Sequence, residues 1–165
     1  MNLQKQRKKI LNLLEKCDLN ETSDLIKWLD SNNYFIAPAS SNFHSAFIGG
    51  LAYHSLIVLD LIREKNKRYD LGLSEKNMII SSLLHDVCKL VPSKNGEHGR
   101  LSVYVLRKFI KLTLIEKLMI EYHMGPWSNH FKINQGPLIK YHPEILAFHT
   151  SDYEATVLIE MRGKK

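Results

Sequence analysis

The stretch Ser81-Ser82-Leu83-Leu84-His85-Asp86-Val87-Cys88-Lys89-Leu90 decides how this chain reads. An apolar helical run ends there on an imidazole and a carboxylate, and a lysine follows three residues after Asp86. An isolated buried carboxylate is very costly, so it is normally paired, hydrogen-bonded or bound to a metal. His54 lies 31 residues before His85, in Gly49-Gly50-Leu51-Ala52-Tyr53-His54-Ser55. Asp152 lies 66 residues after Asp86, in Phe148-His149-Thr150-Ser151-Asp152. His85 and Asp86 are adjacent, so they point about 100° apart on a helix and can reach one ion from its end.

Working outward from that pair, the chain reads as a series of helices joined by loops. Residues 3–16 place Leu3, Ile10, Leu11, Leu13 and Leu14 on one face. A short second helix begins near Thr22 or Ser23 and presents Leu25, Ile26, Trp28 and Leu29. Pro38 then breaks the periodicity by disfavouring helix at the residue before it. A third helix is expected over about 50–65, and Ser74 caps a fourth that reaches His85 and Asp86. A fifth spans about 98–111, and Thr113 with Glu116 forms a capping box for a sixth that ends at Gly125-Pro126. Residues 125–142 are expected to be an irregular insert, and Pro143 opens a last helix over about 143–162. No alternating strand pattern appears, so the expected class is all-α.

With 165 residues and 44% apolar content, the chain is expected to form one domain, 1–165, with N-terminal helices over 1–32 and a core over about 34–155. No apolar run approaches the roughly 18–20 residues of a membrane span, and no signal-peptide hydrophobic region follows the basic N-terminus. Cys17 and Cys88 are far apart and lack a partner motif, which fits a reducing compartment; a cytoplasmic location without a membrane partner is expected. Cys88 is read as a small buried apolar residue rather than a ligand. The net charge of +6 favours acidic ligands, but the basic residues sit mostly at helix ends and termini, without interleaved aromatics.

The ligand types point to a chemistry. Hydrolysing a phosphate ester requires a hydroxide-like nucleophile at neutral pH and cations facing the developing negative charge, and bound divalent metals supply both. Imidazole plus carboxylate suits Mn, Fe, Co, Ni or Zn, as one or two ions. His54, His85, Asp86 and Asp152 form the candidate set, with Asp86 the natural bridge to a second ion.

The order His, His-Asp, Asp resembles the HD-domain metal-dependent phosphohydrolases. The stretch Pro38-Ala39-Ser40-Ser41-Asn42-Phe43-His44 followed by Gly-Gly-Leu-x-x-His-Ser is similar to the HD domain of bacterial 3′-to-5′ exoribonucleases and to small stand-alone HD hydrolases. The segments around His98 (Gly-x-His-Gly-x-x-Ser-Val) and Tyr122-His123-Met124-Gly125 look like the latter group. The resemblance implies a compact HD-domain bundle of about six to seven helices. It implies His98 and His123 as second-metal ligands or as residues lining the phosphate pocket. By the same resemblance Asp86 and Lys89 are catalytic, Lys89 faces the substrate phosphate, and His44 is substrate-side. His149 is either a support to the ligands or plain packing, whereas His130 and His142 are read as surface residues. Cys88 stands where Gly is common in the larger family, and no oligonucleotide-binding domain is expected ahead of the helical part, unlike in the exoribonucleases.

The expected activity is cleavage of a phosphate ester or anhydride of a nucleotide or short oligonucleotide, as a nucleotidase or phosphodiesterase. The partner would be a nucleotide or other phosphorylated small molecule, with nucleic acid as a short oligonucleotide. Two rivals stand beside it: a catalytically inactive, nucleotide-binding HD regulatory module, and a small helical nucleic-acid-binding protein whose affinity falls steeply with salt. Oligomeric state is not legible in the sequence.

Overall fold

The computed structural model describes residues 2–18, 22–92, 97–128 and 136–161. These form α1 (Leu3–Glu15), α2 (Thr22–Ser31), α3 (Gly50–Tyr69), α4 (Glu75–Leu84), α5 (His98–Leu106), α6 (Leu114–Tyr122), α7 (136–141) and α8 (Pro143–Glu154). Short 3-10 turns follow α4 and α6, at Val87–Leu90 and Gly125–Trp127, and a π-helical segment, Ala155–Glu160, follows α8. No strand occurs among the described residues, so the all-α class holds. None of the described helices is long and apolar enough to cross a membrane.

One apolar cluster runs from Ile10 and Leu14 of α1 through Leu25, Leu29, Leu59, Ile80, Leu83 and Met119 to Phe148 of α8. α3 is its axis, packed against α4 and α8, while α6 closes the core between α4 and α8. The helix ends expected from capping residues are present: Ser74 accepts from the Asn77 amide and Thr113 from the Glu116 amide, each in a reciprocal capping box.

Four boundaries differ from the sequence expectation. α3 runs on to Tyr69 because its polar end is tied down: Lys65 Nζ donates to Thr150 Oγ1 at 2.7 Å and pairs with Glu154 at 2.8 Å. α5 stops at Leu106 rather than near 111, since the chain turns there to bury Ile110. Within the supposed insert 125–142, Gly125–Trp127 is a 3-10 turn and 136–141 is helical; Leu138 and Ile139 pack on Tyr122 and Ile145, an apolar contact that overrides the weak local pattern. The last helix changes to π turns after Glu154 instead of continuing as α.

Loop 38–49 is folded onto the start of α3. Ala39 N donates to Ser45 O at 3.1 Å, and Ser40 Oγ donates to His44 O at 2.8 Å. The adjacent glycines make this approach geometric. Gly49 holds φ +82, and a Cβ on Gly50 would collide with the Ser45 carbonyl. A side chain at 50 therefore cannot be added without moving backbone. Gly50→Ala is expected to destabilise by about 1–3 kcal/mol through overpacking. Thermal denaturation should show this as a melting temperature lower by about 2–4 °C per kcal/mol. An unchanged midpoint would show that the loop is not held against α3.

Candidate metal centre

His85 and His123 are positioned by the same device. Each is the C-cap residue of its helix, α4 and α6 respectively. The last carbonyls of a helix lack intrahelical donors. His85 Nδ1 donates to Ser82 O at 2.9 Å, and His123 Nδ1 donates to Ile120 O at 2.7 Å. Tyr34 Oη donates to the next free carbonyl of α4, Leu83 O, at 2.5 Å. A carbonyl can only accept, so in both histidines Nδ1 carries a proton and Nε2 is the atom turned away from the helix end. Both Nε2 atoms are buried and have no hydrogen-bond partner. The C-terminal, negative ends of α4 and α6 also face this point, which favours a cation.

His54 enters from the first turns of α3 and Asp152 from α8. His54 Nδ1 donates to Glu160 Oε1 at 2.7 Å. Its Nε2 lies 2.9 Å from Asp152 Oδ1, yet off hydrogen-bond direction. His85 Nε2 lies 3.4 Å from Asp86 Oδ2 and 3.9 Å from Asp152 Oδ1. Two ligand atoms, each about 2.1 Å from one ion and at a right angle, are about 3 Å apart. The spacings thus fit donors aimed at a shared ion. His54, His85 and Asp86 can together hold a metal, as can His85, His123 and Asp152, and both sets share His85.

Asp86 turns one oxygen to each side. Oδ2 faces His85 and Lys89, the latter at 2.6 Å, while Oδ1 lies 3.5 Å from His123 Nε2. The chain leaves α4 at His85, so Asp86, with φ −108 and ψ 15, swings clear of the helix axis. A carboxylate so placed can bridge two ions.

The protonation states follow. Burial opposes the charge on Asp152, but His54, His85 and His123 outweigh it and hold the carboxyl well below its usual range. Burial likewise opposes the Asp86 charge, and Lys89, His85 and His123 outweigh it. Burial pushes the His54 imidazole down, while Asp152 and Glu160 together lift it to about 10. Without metal the His54 ring therefore carries a second proton, on the Nε2 that faces Asp152. A metal taking up that Nε2 must displace this proton. Cys88, by contrast, is no part of the ligand groups: burial and the Asp86 charge push its thiol up to about 12.

The sequence-derived candidates divide clearly. His54, His85, Asp86, His123 and Asp152 converge. Lys89 joins them through Asp86, and its side chain remains 24% exposed. His44 is half-buried beside the centre, its ring centroid 5.0 Å from that of His54. His98 is exposed at the first turn of α5 and belongs to none of the groups that could hold an ion. His149 donates from Nδ1 to His123 O at 2.7 Å, so it braces a candidate ligand's backbone. His142 is half-buried and paired with Glu144 at 3.0 Å. His130 lies outside the described residues.

Glu160 was not found by sequence reasoning. It is buried at the end of the π segment, bonded to His54 Nδ1 and to Ser45 Oγ, which donates to Glu160 Oε2 at 2.5 Å. A carboxylate that fixes the outer nitrogen of a ligand histidine sets its orientation and raises its basicity. In an unbroken α-helix Glu160 would sit about 80° round from Asp152. The wider π turns reduce that angle, so both carboxylates reach His54. The one sequence signal was an acidic residue closing the apolar run Ala155-Thr156-Val157-Leu158-Ile159.

Residues 51–153 match the HD domain family, whereas no curated protein and no solved structure matches the chain. The matched segment contains His54, His85, Asp86, His123 and Asp152 and stops short of His44, Ser45 and Glu160. With well over half of its length and its convergent ligands inside that match, the chain belongs to the HD-domain superfamily, whose members are mostly metal-dependent hydrolases.

Proposed function

We propose that this protein is a metal-dependent phosphohydrolase that cleaves a phosphate ester or anhydride of a nucleotide or short oligonucleotide. One observation carries the reading: the Nε2 atoms of His85 and His123 are buried without hydrogen-bond partners and, together with His54, converge on Asp86 and Asp152. Burying two imidazole nitrogens unsatisfied is costly, and a divalent cation removes that cost.

His54, His85, Asp86 and Asp152 would hold one ion, with His123 and the second oxygen of Asp86 available to another. The nitrogen–oxygen set suits Mn, Fe, Co, Ni or Zn. When bound, a divalent ion supplies Lewis acidity and lowers the pKa of water towards neutrality. The chain's own groups do the rest. Lys89 is oriented by Asp86 and presents an ammonium towards the non-bridging phosphoryl oxygens, where charge develops in the transition state. Half-buried His44, its ring 5.0 Å from that of His54, can donate to the same phosphate. The side chain of Asp152 is 18% exposed and that of Lys89 24%, so the substrate approaches from their side.

The direct test is mass-spectrometric product analysis with Mn²⁺-loaded protein and a panel of nucleoside phosphates, cyclic nucleotides and short oligonucleotides. A new product is expected that disappears with chelator and returns with Mn²⁺. Metal-loaded protein that turns over nothing in the panel would count against the reading and in favour of a binding module.

A further inference from the structure

Beside the metal centre lies a group of aromatic rings that no metal chemistry requires. Trp127 ends the 3-10 turn after α6 and is 59% exposed; Tyr153, next to Asp152 on α8, is 49% exposed. Their ring centroids are 5.2 Å apart, with planes inclined by 39°. Beneath them the buried ring of His149 lies 5.7 Å from Trp127 and 6.4 Å from Tyr153, almost parallel to the latter at 17°.

This platform is tied to the centre at two points. His149 is bonded to the carbonyl of His123, whose Nε2 is among the convergent donors. Tyr153 follows Asp152 directly in α8. Large aromatic surface left to water is unfavourable unless something covers it. Joined through His149 to the backbone of His123, it suits a flat aromatic group carried by the substrate itself.

We infer that Trp127 and Tyr153 form a base-stacking subsite, so that the phosphoryl group at the metal centre belongs to a nucleotide whose base rests on these rings. The inference builds on the phosphohydrolase reading and adds the recognition element. Stacking of a base on aromatic side chains tolerates any base, because every base has a π-face. The subsite therefore selects nucleotides over sugar phosphates without selecting one nucleotide.

The test uses Mn²⁺-loaded Trp28→Phe protein, which leaves Trp127 as the sole indole; Trp28 packs on Phe109, in a different part of the core. Adenosine 5′-monophosphate and ribose 5-phosphate are compared by stopped-flow fluorescence, before turnover. The expected result is quenching of Trp127 by the nucleotide and an affinity about tenfold above that for the sugar phosphate. That ratio should fall towards one in Trp127→Ala and be largely kept in Trp127→Phe. Equal affinities, or a preference that survives Trp127→Ala combined with Tyr153→Ala, would overturn the subsite and leave the hydrolase reading standing. If neither compound binds the metal-loaded protein, the subsite is overturned, and the product analysis decides the hydrolase reading separately.

Discussion

Asp86→Asn is expected to lower the metal-dependent rate by about a thousandfold or more while leaving the helical fold in place. Asp86 faces His85, Lys89 and His123 together. Metal-centred charge stabilisation is worth several kcal/mol of barrier, and each 1.36 kcal/mol is tenfold in rate. The amide is nearly isosteric, so local packing is preserved. What changes is charge: the centre loses a full anion, and Lys89 loses the partner that orients it. The variant should therefore also lose stabilisation by metal. At a concentration about 100 times Kd, a bound ion contributes about 2.7 kcal/mol to the native state. For a chain of this size that is a rise of about 5–10 °C in melting temperature. Thermal melts with and without Mn²⁺ should show the rise in the wild type and none in the variant. A variant that keeps both rate and shift would remove Asp86 from the centre.

The convergence of His54, His85, Asp86 and Asp152 was legible from the order of these residues in the sequence. A His-Asp pair closing an apolar helix is hard to explain as packing, whereas His54 and Asp152 are weak signals alone and gain meaning only from their order around that pair. Capping chemistry was equally plain at Ser74 and Thr113, where the hydrogen bonds are local. The rest depends on contacts remote in sequence. Glu160 acts through a residue 106 positions away, and its approach relies on a change from α to π turns that no propensity announces. His98 fitted the pattern of added histidines, but the turn into α5 leaves it facing solvent. Segment 136–141 lacked a strong period because only Leu138 and Ile139 anchor it.

Glu160 joins three parts of the molecule, and replacing it should separate metal affinity from folding. Its two oxygens accept from His54 Nδ1 at 2.7 Å and Ser45 Oγ at 2.5 Å, all three side chains being buried. Ser45 itself sits at φ +42, a conformation that a non-glycine residue holds only when its surroundings enforce it. The bond to Glu160 is one such constraint, and it fixes the loop that carries His44. Glu160→Ala strands two buried donors at about 1–3 kcal/mol each. It should lower the melting temperature of the metal-free protein markedly and release the loop. Glu160→Gln is the discriminating variant. Its carbonyl still accepts from His54 Nδ1, and the Ser45 hydroxyl can rotate to accept from its amide, so it strands no buried donor and should cost clearly less stability than Glu160→Ala. Without the carboxylate charge, however, His54 becomes a weaker donor, and removal of such a supporting group typically costs 10–100-fold in metal affinity. Calorimetric titration with Mn²⁺ is expected to show a drop of about that size. A glutamine variant that binds metal as tightly as the wild type would mean that Glu160 only packs the loop.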